Sequence, residues 1–269
     1  TDPRSYKKEI RVFSIERAGH TAMVFWLARL FNESVVIRNN QQFDIQSRVS
    51  HEGVRLFHSD IHPDDREPGV ADHAKNVNGD DVDKLNLNET INVRSFEWQH
   101  VAEINHHLRN ETQENVINVI MLRDPFNWAA SVLRGQDSDL EGNFRWSERM
   151  IEKYKYLGNE AMRSSYFLHP RPLFISYNLW CTSEEYKRII CWNLGGNNFT
   201  TNGTERPARG GGGSSFGDDN VKHGSDIGTL HRWKEFYNKD TPSGKDFTEF
   251  VNDPDIKLFG KELFGLELQ

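Results

Sequence analysis

The sequence predicts an α/β protein, a three-layer α/β/α arrangement around a central, mostly parallel sheet. Two observations carry this. Short apolar runs rich in β-branched residues alternate along the chain with stretches of helical periodicity. Two of those runs, Ile10 to Ile15 and Val116 to Leu122, lead directly into helical patterns, as strands joined by crossover helices do. The chain of 269 residues is long enough to bury a large core, and its 17 Phe, 7 Trp and 7 Tyr argue against disorder for the bulk of it. Residues 1–269 read as a single domain, with 64–95 a loop insertion and 197–224 a Gly-rich loop.

Taken in order, Ile10, Val12, Phe13 and Ile15 supply the apolar mass of a buried first strand. Met23, Leu27, Leu30 and Phe31 follow at i, i+4, i+7 and i+8 on one helical face. Residues 34–37 and 54–57 read as two further short strands, and 64–92, rich in Asp, Asn and Gly, as loop. Val101, Ile104 and Leu108 give 96–108 a helical pattern. Val116 to Leu122 is the strongest strand, followed by a helix from Phe126 to Arg134 and a longer one over 145–163. Pro172 to Tyr177 predicts another buried strand. Thr182-Ser183-Glu184-Glu185 is a capping box that opens a helix ending at Gly195-Gly196. Short helices over 230–237, 246–251 and 255–264 complete the chain.

The formal charge of −7 argues against a general nucleic-acid or anionic-membrane binder, so an anionic ligand must be held by local arginines and backbone amides. No stretch approaches the roughly 20 apolar residues of a membrane span. Cys181 and Cys191 flank a helix, which separates them by roughly 15 Å, too far for a disulfide. They read as buried thiols, which fits a reducing, cytoplasmic setting. Sequons at Asn32, Asn88, Asn110, Asn198 and Asn202 keep open a Golgi-lumenal location for a chain whose N-terminal anchor is removed.

Between the first strand and its helix lies Arg17-Ala18-Gly19-His20-Thr21. A strand that turns abruptly into a helix aims several N–H groups at one spot, and such a spot binds anions. The nucleoside-triphosphatase loop G-x-x-x-x-G-K-[ST] does not fit, because there is one Gly and no Lys. A second anion signal is Leu122-Arg123-Asp124-Pro125, where a buried strand ends in an Arg and Ser131 follows eight residues later. The Arg offers a two-pronged fork to phosphate, and Ser131, two turns into the helix, a hydroxyl.

These two stretches, in this order, resemble the phosphate-binding motifs of the sulfotransferases that use 3′-phosphoadenosine 5′-phosphosulfate (PAPS). The first resembles the family's R/K-S-G-T/S-T loop, with Ala18 and His20 departing from the usual Ser and Thr. The resemblance implies a P-loop-like fold. It implies that Arg17, Ala18, Gly19, His20 and Thr21 hold the 5′-phosphosulfate, and Arg123 and Ser131 the 3′-phosphate. Arg209 and Gly210, opening the run Arg209 to Phe216, resemble the family's late Gly-rich loop over the nucleotide. Arg55 to Ile61 resembles the segment R-L-I-K-T-H-L, which places Asp60 as general base with His58 beside it; His62 and Glu97 are alternatives. His58-x-Asp60-x-His62 also alternates like strand ligands to a metal, but the resemblance implies no metal.

The activity so implied is sulfuryl transfer from PAPS to a hydroxyl of a small molecule or carbohydrate, with Arg17 acting on the leaving oxygen. A non-catalytic nucleotide-binding descendant and a small-molecule kinase are the rival readings. The kinase would need a loop Lys that is absent. The acceptor and the oligomeric state are left open by the sequence.

Overall fold

The computed structural model describes residues 7–32, 35–38, 54–57, 75–76, 89–97, 104, 115–137, 146–164, 167–200 and 231–267. Seven strands are found among them: β1 (Lys8–Phe13), β2 (Val35–Arg38), β3 (Val54–Phe57), β4 (Lys75–Asn76), β5 (Ile91–Phe96), β6 (Val116–Leu122) and β7 (Leu173–Ser176). They form one sheet in the order β4-β3-β2-β5-β1-β6-β7. The run from β2 to β7 is parallel, while β3 and β4 pair antiparallel at one edge. The helices are α1 (His20–Ala28), α2 (Pro125–Asp137), α3 (Glu148–Met162), α4 (Tyr177–Thr182), α5 (Glu184–Asn193), α6 (Pro242–Asn252) and α7 (Pro254–Phe264), with a 3-10 turn at Arg232–Glu235. This is the α/β architecture with a mostly parallel central sheet that the sequence predicts.

β1 lies in the middle of the parallel run, so both of its faces are covered and five of its six residues are buried. Its partners are β5, with Phe13 opposite Phe96, and β6, with Phe13 opposite Ile120. α1 packs beside β2 and β5, and α3 beside β6 and α7. The tightest apolar packing is an aromatic cluster in which Trp128 of α2 meets Trp146, Tyr154 and Phe250 at centroid distances of 5.7, 4.8 and 5.4 Å. Trp128 is fully buried, and truncating such a ring costs about 3–5 kcal/mol. The cluster clamps α2 and α3 together, and both helices carry residues of the candidate site.

One buried face of the sheet is polar. Glu9 accepts from Arg11 Nε at 2.6 Å, from Arg94 Nη1 at 3.3 Å and from Asn92 Nδ2 at 3.1 Å. These are cross-strand neighbours, Glu9 opposite Asn92 and Arg11 opposite Arg94. This network explains a departure from expectation. Residues 91–95 fall in the stretch predicted as loop and Phe96 opens the stretch predicted as helix, yet 91–96 form β5, whose Asn92 and Arg94 are buried against Glu9 instead of facing water.

Other departures are local. Ser183 caps α5, its hydroxyl accepting from Tyr186 N at 3.1 Å, and an additional helix, α4, capped by Ser176, precedes it. Cys181 and Cys191 are free and buried. Among the described residues no helix is long and apolar enough to cross a membrane.

Candidate anion-binding site at the carboxyl end of the sheet

The turn after β1 is built on two left-handed residues, Arg17 at φ 66° and Gly19 at φ 86°. Gly19 is the N-cap of α1 and supplies no side-chain cap, so the first-turn amides of the helix lack the usual internal acceptor. Ala18 is fully buried and its N–H donates to Ile15 O at 3.3 Å. His20 stands where the resemblance has a hydroxyl. Its ring is buried and its Nδ1 lies 2.5 Å from Ser14 Oγ, tying the start of α1 back to the end of β1. Thr21 is the second residue of α1.

Next door, β6 delivers Arg123 and Asp124, both buried. Asp124 is a brace: its carboxylate accepts from Asn127 N at 2.9 Å, from Asn127 Nδ2 at 3.0 Å and from Asn178 Nδ2 at 2.9 Å. It therefore caps α2 and fastens α4 to it. The Arg123 carbonyl accepts from Tyr154 Oη at 2.7 Å, and its guanidinium lies 5.5 Å from the centre of the Tyr177 ring. Ser131 is buried two turns into α2.

Two residues that the sequence did not single out complete the site. Tyr177, at the end of β7, packs its ring on Gly19, where an added Cβ would stand 2.1 Å from Cε2. Its hydroxyl hydrogen-bonds with Cys181, and burial foremost, then Cys181, holds its proton well above the ordinary tyrosine range. Arg232 opens the 3-10 turn, and Asn127 Oδ1 fixes it by accepting its backbone N–H at 2.8 Å. Burial, then the charge of Arg123 and more weakly that of Arg17, pushes the Arg232 guanidinium down to about 9. Arg123 and Arg232, from separate segments, thus meet at one tyrosine, with Arg17 near enough to act on the charge of Arg232. The one advance sign of Arg232 is an Arg-Trp pair just after the Gly-rich stretch, which by itself is no motif.

Arg209, Gly210, Asp60, His58 and His62 lie outside the described residues. The strand that precedes His58 and Asp60 is described, however, and does not end at the site. β3 is antiparallel to β2, with Phe57 opposite Val35, and Val35 is level with Ile91 and Lys8. β3 therefore ends at the amino end of the parallel strands, away from Gly19 and three places from β1. The strand beside β1 that ends at the site is β5, and the residue after it is Glu97. Among the described residues no group of three or more His, Cys, Asp or Glu could hold a metal ion.

No family model matches this chain, and no curated protein matches it. Among solved structures it is similar to a mouse sulfotransferase crystallised as its complex with PAP, at 10% sequence identity and a TM-score of 0.47, over 96% of this chain and 90% of that one. At that level the likeness carries no argument about the site, which rests on the geometry above.

Proposed function

We propose that this protein is a sulfotransferase that moves a sulfuryl group from PAPS to an acceptor hydroxyl. The observation that carries the reading is the meeting of Arg123 and Arg232 at Tyr177, with Arg17 near enough to act on Arg232, at the carboxyl ends of adjacent parallel strands and beside the uncapped start of α1. Ligands of open α/β sheets gather at that end. Guanidinium groups near one another repel, and their grouping suits a molecule with more than one anionic group.

In this reading the amides opening α1 and the Arg17 side chain hold the 5′-phosphosulfate. Arg17 neutralises the charge that grows on the bridging oxygen as the sulfur–oxygen bond breaks. Arg123, Arg232 and Ser131 hold the 3′-phosphate, and Arg209 and Gly210 close over the nucleotide. His20 contributes its amide, since its ring is engaged with Ser14. The acceptor is a small molecule or carbohydrate, and the acceptor side needs a base; Asp60 with His58 is the assignment read from the sequence. Glu97 stands at the end of the strand beside β1.

A kinase reading is less well supported, because the loop holds Arg and no Lys. The replacement of a loop hydroxyl by His20 favours, as a second reading, a descendant that binds the nucleotide without turnover. Calorimetric titration separates these. Tight binding of adenosine 3′,5′-bisphosphate over AMP and ATP, with turnover of PAPS on a hydroxyl panel, is expected. Equal affinity for AMP and the bisphosphate would overturn the reading, and bisphosphate binding without turnover would select the non-catalytic descendant.

A further inference from the structure

Glu16 directly precedes Arg17, yet neither phosphate motif gives it a task. β1 and β5 end side by side with Phe13 opposite Phe96. Glu97 follows Phe96 by one residue and Glu16 follows Phe13 by three, so two carboxylates leave adjacent strands at the mouth of the sheet. Lys153 of α3, itself buried, donates its Nζ to the Glu97 carbonyl. Trp128 Nε1 donates to the Glu16 carbonyl at 2.8 Å, fixing the backbone from which that side chain departs.

The Glu16 side chain is half-buried, and its Oε2 is a buried acceptor that no donor among the described residues reaches. Leaving a carboxylate oxygen so placed costs free energy that an isosteric amide or an apolar residue would avoid. The charged groups around it are Lys153 and Arg149 from α3 and Glu97 from the end of β5. Burial is the main reason that Glu16 binds its proton more tightly than an ordinary Glu. Lys153 opposes this most, Glu97 reinforces it, and Arg149 opposes it weakly.

We infer that Glu16 is the acceptor-side carboxylate of this site, taking the hydroxyl proton while Glu97, anchored through its carbonyl to Lys153, stands beside it. The inference rests on the sulfotransferase reading. The acceptor oxygen bonds to sulfur as the bond from sulfur to the bridging phosphate oxygen breaks. The electron pair of that bond stays on the phosphate, next to Arg17, and the acceptor proton moves to the Glu16 carboxylate. Nothing is oxidised or reduced. A carboxylate with raised proton affinity and an oxygen that no described donor engages is suited to take a proton in the transition state. Its place next to the loop that would carry the sulfuryl group supplies the proximity.

The test uses the full chain and two readouts. Adenosine 3′,5′-bisphosphate brings negative charge beside Glu16, so its binding should draw in protons, measured by titration in buffers of different ionisation heat. Glu16→Gln should reduce that uptake without weakening the affinity, and should lower kcat on a hydroxyl panel by about 100-fold or more. Glu16→Asp should restore part of the rate, and Glu97→Gln should move the acid limb of the kcat profile to lower pH, because a neighbouring negative charge is gone. Proton uptake unchanged in Glu16→Gln overturns the inference. So does a wild-type rate in that variant, or turnover lost in Glu97→Gln, Asp60→Asn or His58→Ala but kept in Glu16→Gln. Failure of the sulfotransferase reading shows separately, as a wild-type protein that does not prefer the bisphosphate.

Discussion

The Tyr177 ring packs so close to the turn after β1 that a Cβ built on Gly19 would stand 2.1 Å from its Cε2, well inside any real contact. Gly19 is also left-handed at φ 86°, where a side chain is strained whatever the space. Both demands fall on one residue because it has two tasks: turning the chain into α1 and letting Tyr177 reach Arg123. Gly19→Ala should therefore push Tyr177 off the loop. Bisphosphate affinity is expected to fall at least tenfold and thermal stability to drop by about 1–3 kcal/mol. Calorimetry and thermal melts check this, and an Ala variant that binds like wild type would show that the contact is not needed.

Nucleotide selectivity should reside in Arg123. Arg123→Ala is expected to remove most of the preference for adenosine 3′,5′-bisphosphate over AMP, a charge-assisted bond to phosphate contributing about 1.5–3 kcal/mol. Ser131→Ala should lose less, about 0.5–1.5 kcal/mol, because a neutral hydroxyl is the weaker donor. Affinities measured in parallel for the two nucleotides test the difference.

Arg232 carries a stability signature. Its folded pKa of about 9 is below the ordinary arginine value, so between about 9 and 12.5 the unfolded chain binds the proton more tightly and stability rises with pH. At neutral pH the group is charged and its burial beside Arg123 opposes folding. Arg232→Gln should raise the melting temperature of the ligand-free protein near pH 7, by about 2–4 °C per kcal/mol relieved, and shrink the rise that the bisphosphate causes. Asn127→Ala should weaken the bisphosphate in the same way, because Asn127 Oδ1 holds the Arg232 backbone. The double variant should lose less than the sum of the two. A ligand-induced shift left intact in both single variants would remove Arg232 from the site.

Arg17→Ala should lower turnover far more than it weakens the desulfated product nucleotide, if its charge acts mainly on the oxygen that leaves sulfur. Steady-state rates and product affinity are compared. Lost binding with turnover preserved at saturation would make Arg17 an anchor only.

Glu16 has the opposite sign to a salt-bridged carboxylate. Its pKa is raised in the fold, chiefly by burial, so its contribution to stability is fully present below the unfolded value and is lost as pH rises through the folded one. Glu16→Gln should therefore melt higher than wild type at neutral pH, and the difference should narrow as pH falls through the folded value, the narrowing being complete below about 4. Melts across that range test it, and a Gln variant less stable at pH 7 would mean that the carboxylate is satisfied in the native state.

What the sequence determined by itself is local. β1, its turn and α1, and β6 with Arg123 and Asp124, are each written in a contiguous run whose apolar pattern, Gly and charged ends act over neighbouring residues. Tertiary structure decided which strand stands beside β1. The alternation of Ile91 and Val93 with Asn92 and Arg94 was a legible strand signal, but its polar half is buried on Glu9, and polarity in a stretch rich in Asn reads as loop until the partner strand is known. Neither the antiparallel direction of β3, which turns its end away from the site, nor the delivery of Arg232 by Asn127 across 105 residues is encoded in any local pattern. Both follow from pairing between distant segments, and so does the burial of Glu16, because pairing and burial are settled only when the whole sheet and its covering helices close together.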